Sequence, residues 1–165
     1  MQLKRLIISD ANVLIDMEVG QLLIDMFQLP ERFGVPDILF VEELEENHPE
    51  LPEYGLEVLV LREEAVKDVY ELGQRYQRPS QMDLFALALA RQENCPLLTG
   101  DKHLREAAER ESVDVCGTLW LIERMTDEKF ISIDEARQAY DKMKRADRRL
   151  PWQQVGHQLA RLTKK

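Results

Sequence analysis

Residues 80 to 101 read SQMDLFALALARQENCPLLTGD. Ser80 and Asp83 form an S-x-x-D capping box, the alanine-rich run behind them keeps a helical pattern to Asn94, and PLLT at 96–99 is a short apolar strand before Gly100 and Asp101. A helix over that span climbs about 22 Å, and the strand after it returns roughly 13 to 17 Å. Asp83 and Asp101 therefore finish near one edge of the same layer.

The same alternation extends in both directions. LIIS (6–9), DILF (37–40), EVLVL (57–61) and VDVC (113–116) are further strand candidates, short and mostly apolar on both faces, as suits a covered parallel sheet. Helical patterns lie between them: NVLIDMEV, GQLLIDMFQL, VEELEEN, EEAVKDVYELGQRYQ and KHLREAAERES. Strand and helix in turn predict an α/β fold with a parallel sheet of about five strands. After Cys116 the patterns TLWLIERM, IDEARQAYDKMKRADRR and PWQQVGHQLARL are all helical, with Pro151 suited to a first turn. At 165 residues the expected organisation is a single domain over 1–165, an α/β core to residue 120 and a helical extension over 121–165.

Composition narrows the classes. Hydrophobic content of 44% and charged content of 32% are globular values, and no apolar stretch nears the roughly 20 residues of a membrane span. MQLKRLIISDANVL reads as a strand and not as a signal peptide, so a cytoplasmic protein is expected. Cys95 and Cys116 are too few for a disulfide framework and read as free buried thiols. The net charge of -9 is uneven: residues 135–165 hold nine Lys or Arg against three acids, a local +6 that leaves -15 for residues 1–134. A basic tail beside an acidic body suits delivery of a phosphate backbone to a metal site; the alternative is a solvated helix face.

Four acids, Asp10, Glu43, Asp83 and Asp101, each stand where an apolar run gives way to a helical pattern. In a parallel α/β sheet the carboxyl ends of the strands share the edge where ligands bind. Four carboxylates in one pocket repel one another unless a divalent cation joins them, which points to hard-cation chemistry. Each acid also has a structural alternative: Asp10 and Asp101 as helix N-caps, Asp83 in its capping box, Glu43 on a solvated face. His48, His103 and His157 show no HExxH-type spacing, so zinc is not expected, and His103 reads as a first-turn surface residue within reach of the pocket rim. Trp120 and Trp152 lie in apolar helical patterns and read as packing residues. There is no G-x-x-x-x-G-K-[ST], G-x-G-x-x-G or G-x-S-x-G. A phosphoacceptor pocket is disfavoured because Ala11 and Asn12, and no second acid, follow Asp10.

The company of these acids is DANVLID at 10–16, EL at 43–44, S-x-x-D-x-x-A-L-A-x-A from Ser80 to Ala90 and LLTGDK at 97–102. In that order and spacing they resemble the PIN domain family over roughly residues 4 to 120. The resemblance implies a three-layer α/β/α sandwich and a metal-dependent endoribonuclease, often the toxin of a toxin-antitoxin pair. Carried over, Asp10, Glu43, Asp83 and Asp101 would hold Mg²⁺ or Mn²⁺, with Asn12 and Thr99 as supporting residues. Glu42 competes with Glu43; Leu44 behind Glu43 matches the family's habit of an aliphatic residue after its glutamate. RNA substrate, an antitoxin partner and a homodimer follow as expectations, the early helices being a common partner surface. The tail from Gly117 looks like that of a less characterised branch of the family, and the alternative is a PIN-like protein-interaction module without catalysis.

Overall fold

The computed structural model describes residues 4–164; Met1 to Leu3 and Lys165 lie outside the described residues. Five parallel strands, β1 (Leu6–Ser9), β2 (Arg32–Pro36), β3 (Glu57–Leu59), β4 (Leu97–Leu98) and β5 (Val115–Cys116), form one sheet in the order β3-β2-β1-β4-β5. The chain first builds outward from β1 through β2 to β3, then crosses to β4 and β5 on the other side. The switch point therefore lies between β1 and β4, where Ile8 pairs with Leu97 and Ser9 with Leu98. At that point the connections leave the edge in opposite directions and open a crevice at the carboxyl ends of the two strands. Ile7 and Ile8 are fully buried because helices cover both faces, the condition a parallel sheet requires.

Helix α6 (Gln81–Glu93) packs across β1, β2 and β4, with α5 (Glu63–Arg75) outside it. Five of its consecutive residues, Ala86 to Ala90, are completely buried. Three of the five are alanine, so the helix lies close on the sheet while Leu87 and Leu89 fill the gaps; removing either leucine side chain should cost about 2–5 kcal/mol. On the other face α1 (Ala11–Val19) packs with α2 (Leu23–Phe27), α8 (Thr118–Asp127) and α9 (Ile133–Arg145). Helix α7 (Lys102–Arg110) joins β4 to β5, and α10 (Trp152–Thr163) packs on α9. The result is the three-layer α/β/α sandwich. One continuous apolar core runs from Ile7 to Val155 and includes Ala136, Tyr140 and Met143 of α9.

The second strand differs from the sequence expectation. DILF at 37–40 is not a strand: Asp37–Leu39 is a short helical turn, α3, and Phe40–Leu44 continues it as a π-helical turn closed by Glu45 N donating to Phe40 O at 2.7 Å. The strand is RFGVP, whose Gly34 and Pro36 look like punctuation. Gly34 is needed there, since a Cβ on it would come within 2.9 Å of Leu59 Cδ1 on the neighbouring strand. Pro36 sits at the strand's last position, where a missing N–H costs least, and Asp37 then starts the helix by accepting from Ile38 N at 2.8 Å. GQLLIDMFQL is also shorter than its pattern, being helical only over Leu23–Phe27, and α4 (Leu51–Tyr54) is a turn the pattern does not show.

Candidate functional site

Asp10 ends β1 at the switch point and is 1% exposed. Its backbone N–H donates to Leu98 O at 3.0 Å, continuing the β1–β4 ladder, and its carboxylate caps α1 by accepting from Val13 N at 2.9 Å. Thr99, fully buried at the end of β4, donates its hydroxyl to Asp10 Oδ2 at 2.5 Å and accepts from Asp101 N at 3.1 Å. One threonine thus ties the acid after β1 to the acid after β4. Asp101 caps α7 through Leu104 N at 2.8 Å, using only Oδ1. Asp83 makes the full capping box with Ser80, accepting from Ser80 N at 3.0 Å on Oδ2 while its own N–H donates to Ser80 Oγ at 3.1 Å. A cap uses one carboxylate oxygen, so the capping roles leave room for a second role beside the other acids. Among the described residues, Asp83 Oδ1 and Asp101 Oδ2 have no hydrogen-bond donor.

Asp83 is the electrostatic hub of the group. Burial above all, with the Asp83 and Asp16 charges adding to it, pushes the Asp10 carboxyl up to about 7 against the lowering effect of Thr99 and Val13. The Asp83 carboxyl is raised above its ordinary value by burial and by Asp101, while Ser80 lowers it. Glu43 stands on the exposed π-helical turn, and its carboxyl is raised first by partial desolvation and then by Asp83. Asp83 thus couples to each of the other three acids. That coupling favours Glu43 over its neighbour Glu42 as the residue turned toward the pocket, and a π-helical turn is a common device for re-aiming a side chain at a site.

The sequence reading missed a fifth acid. Asp16, 6% exposed, lies one helical turn beyond Asn12 on the same face of α1. It accepts from Arg148 Nε at 2.7 Å and from Thr118 Oγ1 at 3.1 Å. Burial raises its carboxyl in spite of both contacts. Arg148 also donates through Nη2 to Asn12 O at 3.2 Å and Asn12 Oδ1 at 3.3 Å. The i, i+4 spacing of Asn12 and Asp16 was a usable signal for Asp16; nothing local marks Arg148 among its basic neighbours. Beside this pair lies a cleft of about 550 Å³ bordered by Asn12, Asp101, Lys102, His103, Arg148 and Arg149. His103, expected as a first-turn surface residue, is half-buried and borders this cleft.

A second group, Glu18, His48 and Glu50, brings three potential ligand atoms within 4.8 Å of one another. His48 Nδ1 already lies against the Glu18 carboxylate, without hydrogen-bond geometry. Glu18 lies eight residues beyond Asp10, about 12 Å further along the α1 axis. Cys95 and Cys116 are half-buried free thiols pushed by burial up to about 11 and about 12. Trp152 packs edge-on against Tyr140 at 6.5 Å with Lys144 Nζ 5.5 Å from its ring centroid, and Trp120 is partly buried against the core.

An all-oxygen donor set with free carboxylate oxygens and, among the described residues, no ion-paired Lys or Arg fits a hard divalent cation better than a softer ion. Fold and site together define a doubly wound parallel α/β protein with an acidic pocket at its switch point. A family model described as PIN domain matches residues 6–164, and the chain belongs to that family. The match takes in the C-terminal helices, which the resemblance over residues 4 to 120 had left outside. No curated protein matches the chain. PIN domains are in general nucleases that bind a divalent metal and act on RNA. None of the helices among the described residues is long and apolar enough to cross a membrane.

Proposed function

We propose that this protein is a Mg²⁺- or Mn²⁺-dependent endoribonuclease whose site is Asp10, Glu43, Asp83 and Asp101. The observation that carries the reading is that Asp83 couples to the other three acids and that the carboxyls of Asp10, Glu43 and Asp83 are raised, with no Lys or Arg ion-paired to the group among the described residues. Such a set stores repulsion that a bound divalent cation relieves. When bound, the cation supplies Lewis-acid polarisation of the scissile phosphate and a lowered pKa for attacking water. The chain's own residues do the rest. Asp83 Oδ1, Asp101 Oδ2 and Glu43 offer free oxygens, Thr99 fixes the Asp10 carboxylate, and Asn12 is fixed by Arg148.

Incubating single-stranded RNA with the protein in Mn²⁺ should give cleavage that EDTA abolishes. Asp101→Asn should lower the rate on the order of a hundredfold or more while keeping the α7 cap, since Asn caps as well as Asp. Cleavage at the wild-type rate in that variant would sink the assignment. A toxin role with an antitoxin and a homodimer belongs to the same proposal. It is supported by Ile24, Ile38 and Val41, which are 61%, 37% and 59% exposed on α2, α3 and the π-helical turn. Its test is an adjacent open reading frame whose small DNA-binding product co-purifies with the chain. A second reading, a cytoplasmic interaction module that binds a basic peptide without cleavage, is supported by the -15 carried by residues 1–134. EDTA-sensitive cleavage decides against it.

A further inference from the structure

We propose that the cleft beside Asp101 is a phosphate-gripping track for single-stranded RNA, with Lys102 and Arg149 as its two cations; this rests on the endoribonuclease reading and assigns the strand a path. The cleft and the acid group share Asp101, so a backbone lying across the acids continues directly into the cleft. Its volume of about 550 Å³ is within the ordinary range for a small-ligand pocket.

Of the tail's cations among the described residues, all but Arg149 and Lys164 are engaged, and only Arg149 of these two borders the cleft. Arg137 pairs with Asp134, Lys142 donates to Gln21, Arg148 pairs with Asp16, Arg161 pairs with Glu123, Arg145 donates to Asp141 O, and Lys144 sits over Trp152. Arg149 is exposed and, among the described residues, forms no ion pair, and neither does Lys102, although the chain carries nine more acids than bases. They border one cleft from two separate elements, Lys102 from the first turn of α7 and Arg149 from the turn after α9. That turn is held by Arg148, whose guanidinium is anchored to α1 through Asp16 and Asn12 and whose backbone N–H donates to Met143 O at 2.9 Å. Arg149 is thereby positioned in advance, which lowers the ordering cost of a contact.

The chemistry selects phosphate. A guanidinium and an ammonium are the two side chains that bind phosphate oxygens best, one as a fork and one as a point charge. A polyanion approaching a body of this sign also needs local positive charge to dock. Asp147 is the other unpaired acid on this wall, so the track is a narrow grip and not a broad basic surface.

The test uses the full chain in Ca²⁺ with a fluorescent single-stranded RNA dodecamer, measuring Kd by anisotropy across a KCl series. Lys102→Ala and Arg149→Ala should each weaken binding and flatten the slope of log K against log salt by about 0.7. Arg137→Ala, outside the cleft, should leave both unchanged. A Lys102→Ala/Arg149→Ala variant with wild-type Kd and slope overturns the track. Cleavage in Mn²⁺ across a series of RNA concentrations separates the two proposals: a raised KM with unchanged kcat in the double variant supports the track. If no variant or wild type cleaves, yet binding still depends on the two cations, the nuclease reading fails and the track stands.

Discussion

Glu111 and Asp10 are both acids at helix ends, and they are treated in opposite ways. The Glu111 side chain, 8% exposed at the end of α7, receives Arg75 at 3.0 Å, Arg91 at 3.3 Å and the Tyr76 hydroxyl at 2.5 Å. Asp10, more deeply buried, receives only a threonine hydroxyl and one backbone N–H, and its charged neighbours are Asp83 and Asp16. A buried charge is tolerated when partners compensate it, and Glu111 follows that rule. Asp10 does not, and on the proposed reading a bound cation supplies the compensation. Asp16 stands between the two, beside the pocket yet compensated by Arg148.

The contrast can be broken most directly at Asp10. Its carboxyl sits at about 7 in the fold against 3.8 in a free chain, so the unfolded state loses the proton first as pH rises. The associated stability is full below about pH 4 and is lost progressively up to about pH 7, on the order of 4 kcal/mol. Urea unfolding in EDTA across that window should show this fall in the wild type and a flatter profile in Asp10→Asn, which keeps the cap. Mn²⁺ added at pH 7 should restore the wild type. Parallel profiles for the two proteins would remove Asp10 from the uncompensated class.

Arg148→Met is expected to be next in size. It leaves Asp16 buried without its cation and should cost about 3 kcal/mol, read as a lowered urea midpoint. Asp16→Asn in the same chain should recover most of the loss, and an additive double variant would show that the pair is not coupled. Glu111→Gln should cost about 2 kcal/mol in stability while leaving metal affinity and RNA cleavage untouched, because its partners lie among α5, α6 and α7 and not at the acid pocket. Smallest and sharpest is the pair Glu43→Gln and Glu42→Gln. The first should weaken Mn²⁺ binding about tenfold by calorimetry and the second should leave it unchanged. The reverse order would move the pocket's glutamate by one residue.

Much of this arrangement was legible in the chain. β1, β3, β4 and β5 lie within the runs expected for them, and the SQMDLFALALARQEN helix begins at the capping box that announces it. The second strand was misplaced because Gly34 and Pro36 serve a close strand contact and a strand end, and local rules read both residues as breakers. The error reached Glu43, which is delivered by a π-helical turn instead of a strand end. Asp16 and Arg148 escaped for a different reason. Their contact spans 132 residues, and no spacing rule reaches that far. The tail's charge was visible as a sum, but its division into anchored and free cations was not.

The sequence by itself determined the alternation of strand and helix, the helix starts at Asp10, Ser80 and Asp101, and the family pattern those acids carry, because capping and periodicity are local and act within a turn or two of chain. Only the tertiary structure decided that β1 and β4 are neighbours at the switch point, that Asp83 couples to the other three acids, that Arg148 compensates Asp16, and that Lys102 and Arg149 are left unpaired beside Asp101. The physical reason is that desolvation and charge act through space, so whether a carboxylate is a cap, an ion-pair partner or an open ligand depends on what the fold brings within a few ångströms of it.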